Sequence, residues 1–279
     1  MSKNQGSGKK GTRTSDHLMV IRFLIDKMVK GEKKKLYVCF VDVKKAFDFT
    51  NREILIYKLM TEYGIGGNFL KLLQALYDDH KVYVRVSDGL LQPITTTIGL
   101  KQGCGISPLL FNLFIDDITK IFDKTCDPVQ LGGEDLSCLL WADDLVLLSE
   151  SPEGLQNSIN KTQKFYSDIG LQMNTKKTKV MVFNQRGLKL TKNRFFAGTT
   201  ELDVVDEYQY LGIKFKPSGS FHFAVGELFD KANRAWFSIS NVLYQHKKIA
   251  VKRALGPYFY LTVLFGQFFY TLLISGCLS

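Results

Sequence analysis

Residues 137–148, SCLLWADDLVLL, constrain this chain more than any other segment. Two apolar runs of strand length meet at the adjacent acids Asp143 and Asp144. Short apolar runs bounded by turn residues read as buried strands, and Asp favours turns. The expected structure is a tight β-hairpin with both acids at its tip. A third acid, Asp42, lies inside the apolar run KLYVCFVDV at residues 35–43, where a strand disfavours it. Ionised carboxylates in such surroundings are costly unless positive charge offsets them. Three that converge repel each other and raise one another's pKa unless a metal holds them. Hard oxygen donors select Mg²⁺, which keeps some waters and binds substrate phosphates. For Asp143 and Asp144 alone, ordinary turn acids are a competing reading; Asp42 does not fit that explanation.

Around these acids the chain alternates helical and extended patterns. Helices are expected at residues 16–30, 51–63, 68–80, 107–122, 152–169 and 221–245. Strands are expected at 35–43, 178–184 and 206–215. A hairpin is expected where 81–86 and 91–98 flank Ser87-Asp88-Gly89. Helices on a mostly antiparallel sheet define the α+β class.

Charge narrows the partners. The 279 residues carry a formal charge of +10 and a pI near 9.2, which favours a polyanion. Residues 169–200 hold seven Lys or Arg and no acid, and residues 231–279 hold six and no acid, as tracks for phosphates would. The five cysteines are scattered, which argues against a zinc site or a disulfide framework and suits a reducing compartment. Residues 254–279 carry no charge and follow Lys247, Lys248, Lys252 and Arg253. Gly256, Pro257, Gly266 and Gln267 interrupt that stretch, so a core helix is expected there and no stable membrane association.

Five motifs then carry a resemblance. Asp42-Val43-Lys44-Lys45-Ala46-Phe47-Asp48 resembles the first palm motif of reverse transcriptases of non-LTR (LINE-type) retrotransposons, and Trp141-Ala142-Asp143-Asp144 resembles their aromatic-Ala-Asp-Asp motif. Between them, residues 99–104 (GLKQGC) and 107–112 (SPLLFN) resemble the Gly-rich nucleotide and template motif. Residues 174–183 (NTKKTKVMVF) resemble the next palm motif, and Tyr208-Gln209-Tyr210-Leu211-Gly212 the primer-grip hairpin. Their shared order over residues 12–245 makes the match specific where any one motif would be weak.

The resemblance implies a right-hand polymerase with an antiparallel-sheet palm, fingers and a partial helical thumb. The fingers would take residues 1–34 and 52–97, the palm 35–51 and 98–217, and the thumb 218–279. It implies RNA-directed DNA synthesis from a primer 3′ end by a two-metal mechanism, with an RNA template, a DNA primer, dNTPs and two Mg²⁺ ions. Asp42, Asp143 and the Val43 carbonyl would hold metal, and Asp144 would lie beside the ions as a third acid. Phe47 would close the space beside the sugar 2′ position, and Gln102 and Gly103 would meet the nucleotide or template. Lys177 would bind or protonate pyrophosphate, although Lys176 and Lys179 fit equally well by sequence. Tyr210, Leu211 and Gly212 would position the primer end. Trp141 stands where the family has Phe or Tyr, Gly105 replaces a residue often Pro or apolar, and residues 8–16 match the fingers motif only in part. Upstream fingers and an endonuclease domain are expected in a longer polyprotein, in the nucleus or cytoplasm. A remnant that binds nucleic acid without polymerising is the alternative function.

Overall fold

The computed structural model describes residues 1–220 except 79, 80, 88 and 191, together with 226, 230, 233, 234 and 237. The expected helix at 221–245, the thumb beyond residue 220, the basic group from Lys247 to Arg253 and the uncharged tail therefore lie outside the described residues, isolated positions apart. Asp88, central to the expected hairpin turn, does too.

In chain order, α1 (Thr14–Leu24) continues into a π-helical turn at Ile25–Gly31 and is followed by β1 (Leu36–Val41). Helices α2 (Arg52–Thr61) and α3 (Gly67–Tyr77) precede four two-residue strands, β2 (Lys81–Val82), β3 (Arg85–Val86), β4 (Gly89–Leu90) and β5 (Ile94–Thr95). Then come α4 (Ser107–Ile115), β6 (Val129–Leu131), β7 (Glu134–Leu136), β8 (Cys138–Trp141), β9 (Asp144–Ser149) and α5 (Pro152–Asp168). Strands β10 (Lys179–Phe183), β11 (Phe195–Ala197), β12 (Thr200–Val204), β13 (Tyr208–Tyr210) and β14 (Ile213–Phe215) complete the order. Helices with antiparallel-rich sheets make this the α+β class that the sequence predicts. Among the described residues no helix is long and apolar enough to cross a membrane.

The chain divides into two compact units. The first comprises Met1–Arg13, Tyr37–Val180 and Thr191–Val204. Its sheet runs β11-β12-β10-β1-β9-β8, with β1–β9, β8–β9 and β11–β12 antiparallel and β10–β12 parallel. All of β1 is buried, as is β9 from Leu145 onward. Strands covered on both faces need continuous apolar runs, which is why these segments show no alternation. Each Leu or Val so buried contributes about 1.5–3 kcal/mol. Helix α5 packs on β9 and β11 through its buried stripe Leu155, Ile159, Thr162 and Tyr166. Its start is set by Ser151, whose hydroxyl accepts from the Gly154 amide, and by Pro152 in the first turn.

The expected helix at 107–122 is shorter than its apolar pattern. α4 ends at Ile115 and a 3₁₀ turn follows at Asp116–Lys120, where the buried Asp116 carboxylate accepts from the Ser2 amide at 2.8 and 2.7 Å. The expected 81–98 hairpin is broken into nested pairs, β2 with β5 and β3 with β4, with little burial to hold it straight.

The second unit comprises Thr14–Leu36, Met181–Leu190 and Val205–Ser279. Here β13 and β14 form a hairpin, and Phe215 meets Phe183 edge-to-face at 6.1 Å. Arg22 on α1 bonds Asp26 at 2.6 Å and the Gly219 carbonyl at 3.1 Å. The buried His17 ring lies 3.3 Å, through Nδ1, from the Tyr210 hydroxyl.

Candidate active site

The site is built on the register of β1, β9 and β8 in the first unit. Val41 pairs with Leu145, so Asp42 emerges from β1 beside the start of β9, where Asp144 is the first residue. Trp141 pairs with Asp144 across β8 and β9, leaving Ala142 and Asp143 as a two-residue turn. Only Asp143 therefore occupies the tip; Asp144 already belongs to a strand, one place further than the sequence placed it.

Asp42 is clamped through its backbone. Its amide donates to the Thr178 hydroxyl at 3.1 Å and its carbonyl accepts from the Asn174 amide at 2.8 Å. Val43 bridges Met173 and the Lys44 amide donates to the Gln172 carbonyl at 2.9 Å. The NTKKTKV motif thus holds the first acid in place, and sets Lys177 beside it.

The next loop is stitched to residues 99–103. The Leu100 amide donates to the Phe47 carbonyl and the Gly99 amide to the Thr50 carbonyl, each at 2.8 Å. Gly99 has φ of 85°, and a Cβ there would stand 2.6 Å from the Asp48 carbonyl oxygen, so both space and backbone require glycine. Gln102 donates through Nε2 to Asp48 Oδ1 at 2.8 Å. Phe47 is half-buried and stacks on Phe111 with ring centroids 4.8 Å apart, so its ring has a fixed orientation.

An open cavity of about 620 Å³ gathers Asp42, Val43, Phe47, Gln102, Asp143 and Lys177. Asp144 and Gly103 do not line it, and Gly103 stands exposed at φ of 79°. Tyr210, Leu211 and Gly212 belong to the second unit. A groove of about 770 Å³ between α2 and α3 is larger, but its walls are chiefly apolar, with Leu55, Ile56, Leu59 and Met60 prominent. Asp42, Asp143 and Lys177 line the smaller cavity.

The acids are electrostatically loaded. Burial, then the charge of Asp42, raises the Asp143 carboxyl above the usual range. Asp144 is pushed up to about 6 by partial burial of its carboxylate and then by the charges of Asp143 and Asp42, even though the residue reaches solvent. Behind them the fully buried Tyr166 hydroxyl lacks a hydrogen-bond partner, and burial followed by the Asp143 charge raises its pKa. Repelling, desolvated carboxylates next to a basic side chain fit a divalent cation. Among the described residues no three His, Cys, Asp or Glu side chains close into a metal cage. Mg²⁺ is typically held by one or two carboxylates and substrate phosphates, so Asp42, Asp143 and the Val43 carbonyl form a suitable partial set.

Sequence reasoning quoted Asn174 and Asp48 only as motif members and gave them no role, because they act through ordinary backbone and amide contacts, and it gave none to Tyr166, one aromatic on a helix. It also missed Gln5, whose side chain reaches the turn of Ala142 and Asp143. A lone Gln in a polar segment carries no signal of that kind.

Comparison with known proteins identifies the family and the fold. The reverse transcriptase (RNA-dependent DNA polymerase) family matches residues 1–215. The chain is 29% identical over 206 residues to the Pol polyprotein of retrotransposable element R2DM from Drosophila melanogaster, covering 70% of this chain and 19% of that protein. It is 28% identical to the R2 Pol polyprotein of Nasonia vitripennis, covering 70% of this chain and 20% of the relative. The chain thus spans about a fifth of the length of these relatives. Among solved structures, telomerase from Candida tropicalis in complex with a fragment of telomeric RNA superposes with a TM-score of 0.54 at 12% identity, covering 78% of this chain and 33% of that one. Apo telomerase from the same organism, truncated from its C-terminal domain, gives 0.52.

The fold is that of the right-hand polymerases. The chain belongs to the reverse transcriptase family, in its non-LTR retrotransposon branch. That family works with divalent metal ions.

Proposed function

We propose that this chain catalyses RNA-directed DNA synthesis, extending a primer 3′ end with dNTPs along an RNA template. The observation that carries the reading is the convergence of Asp42 and Asp143, from two paired strands, on one cavity with Phe47, Gln102 and Lys177.

Asp42, Asp143 and the Val43 carbonyl would hold two Mg²⁺ ions, with Asp144 adding negative charge beside them. When bound, the ions supply activation of the primer 3′-hydroxyl and stabilisation of the departing pyrophosphate. The remaining work falls to the chain. The backbone clamp on Asp42 and the hairpin register fix the two acids relative to each other, which matters because rate falls steeply with misplacement. Lys177 offers its ammonium to pyrophosphate as a hydrogen-bond and proton donor. The Phe47 ring, braced by Phe111, fills the volume that a ribose 2′-hydroxyl would need and gives it no partner. Gln102, tied to Asp48, presents its remaining amide atoms to the nucleotide or template. Tyr210, Leu211 and Gly212 are assigned to the primer end by the family motif. The basic segments at 169–200 and beyond 230 supply the phosphate contacts, so affinity falls as salt rises.

The test is primer extension on an RNA template by purified protein with Mg²⁺ and dNTPs, alongside measurement of primer–template binding. Extension that requires Asp143 supports the proposal. Tight binding without extension would instead identify a nucleic-acid-binding remnant.

A further inference from the structure

Residues 4–6 run parallel to β8 as a short strap. The Gly6 amide donates to the Leu140 carbonyl, and the Leu140 amide donates to the Asn4 carbonyl, each at 2.9 Å. The strap is anchored by side chains other than its own: Ser2 on Asp116, and the Ser7 carbonyl on Asn112 Nδ2 at 3.0 Å. At its centre Gln5 is completely buried. Its Oε1 accepts from the Ser7 amide at 3.0 Å and from the Ala142 amide at 3.4 Å, and its Nε2 has no hydrogen-bond partner.

Two features make this more than packing. A buried primary amide with an unpaired N–H₂ disfavours the folded state, and an apolar side chain of the same length would fill the space without that penalty. Ala142, whose amide Gln5 accepts, has φ of 54°, a left-handed conformation that a non-glycine residue resists. Asp143 follows immediately.

We propose that Gln5 is a positioning residue for the polymerase reaction: its side-chain carbonyl holds the Ala142 amide and thereby fixes the strained turn that carries Asp143. The inference rests on the function proposed above. Gln5 touches neither substrate nor metal in this role; it acts through the backbone of the turn.

Gln5→Met removes the acceptor and the unpaired donor while keeping the length; the Ser7 amide loses its acceptor too, but the anchors from Asp116 to Ser2 and from Asn112 to the Ser7 carbonyl remain. Hydrogen exchange followed by mass spectrometry should show the 140–144 segment exchanging about tenfold faster, with residues 36–41 and the melting temperature little changed. In primer extension kcat should fall about tenfold while KM for primer–template stays within about twofold. Adding Ala142→Gly should recover most of the rate, because glycine adopts the left-handed turn unaided. Unchanged exchange at 140–144 overturns the proposal, as does faster exchange with an unchanged kcat. A loss of rate that parallels a loss of melting temperature, without rescue by Ala142→Gly, overturns it too by reducing Gln5 to a core residue. If wild-type protein extends no primer, the polymerase reading fails, while the exchange measurement still decides whether Gln5 braces the turn.

Discussion

The β8–β9 hairpin of the first unit and the β13–β14 hairpin of the second each close through a two-residue turn, and these two turns are made differently. In the second unit, Tyr210 pairs with Ile213 around Leu211 and Gly212, whose φ values are both positive, 45° and 84°. That is the I′ pattern, which matches strand twist and places glycine where it is easily accommodated. In the first unit, Trp141 pairs with Asp144 around Ala142 and Asp143, and only Ala142 has a positive φ. This is the II′ pattern, whose first position is ordinarily glycine. The surroundings differ in the same sense. The first turn lies among carboxylates whose protons are held too tightly, whereas the second lies beside a buried imidazole that is kept neutral. Each turn thus holds one non-glycine residue at positive φ, Ala142 in the first and Leu211 in the second, but only the first sets it among unbalanced charge. Such departures from local preference gather where chemistry is done.

The largest expected effect breaks that contrast at its charged end. Asp143→Asn keeps the turn's shape but removes the charge proposed to bind metal, which should lower single-turnover extension on the order of a thousandfold. Primer–template affinity should change little. Because the Asp143 charge is disfavoured in the fold, the metal-free variant should melt at a higher temperature than wild type. A variant that lost stability along with activity would show the carboxylate to be structural.

That contrast was only partly legible in the sequence. The acids stood out because Asp42 breaks an apolar strand and Asp143 and Asp144 separate two, and burial patterns of this kind survive into the fold. The hairpin β6–β7, around Gly132 and Gly133, and the hairpin β11–β12, around Gly198 and Thr199, went unpredicted although their turn residues were on view. Their strands are three to five residues long, too short for periodicity to register. The shortening of α4 depended on Asp116 meeting Ser2, a contact between distant residues. Gln5 shows the same limit at the site itself: its value comes from a partner 137 positions away.

Phe47→Val tests whether the first unit's site is shaped for selection as well as reaction. The ring's stacking on Phe111 fixes its orientation at the cavity, and valine leaves an apolar but lower wall. Pocket changes of this size are worth about 1–3 kcal/mol, so discrimination against ribonucleotides should fall roughly tenfold to a few hundredfold. Competitive single-nucleotide extension reads this directly. Equal discrimination by both proteins would leave Phe47 as a core partner of Phe111.

The two units should also answer pH with opposite signs. Asp144 binds its proton more tightly folded than unfolded, so the stability it adds is complete below about pH 4 and is lost as pH rises through about 6. His17 holds its proton less tightly when folded, about 4 against 6.5, chiefly because it is buried. Its stability is complete above about pH 6.5 and is lost as pH falls through 4, a change on the order of 3 kcal/mol. Metal-free protein followed by hydrogen exchange between pH 4 and 7 should show the first unit weakening as pH rises and the second strengthening. Asp144→Asn should flatten the first trend and His17→Gln the second; trends of the same sign in both units would contradict the contrast.

The smallest effect isolates the backbone. A Cβ at position 212 would meet nothing within 4 Å, so Gly212→Ala adds only the left-handed penalty of about 1–2 kcal/mol. Reduced freedom of the unfolded chain returns about 0.4–1 kcal/mol of that, leaving a net loss of roughly 0.5–1 kcal/mol. Ala142→Gly runs the same terms backwards, relieving strain while freeing the unfolded chain, and should gain roughly 0.5–1 kcal/mol. Urea denaturation of the two single variants, at a pH near 7 and without metal, measures both. Opposite signs of similar size would mean that Ala142 carries backbone strain that glycine avoids at position 212. If Ala142→Gly instead destabilises the protein, Ala142 is comfortable where it stands, and the difference between the two turns reduces to their charges.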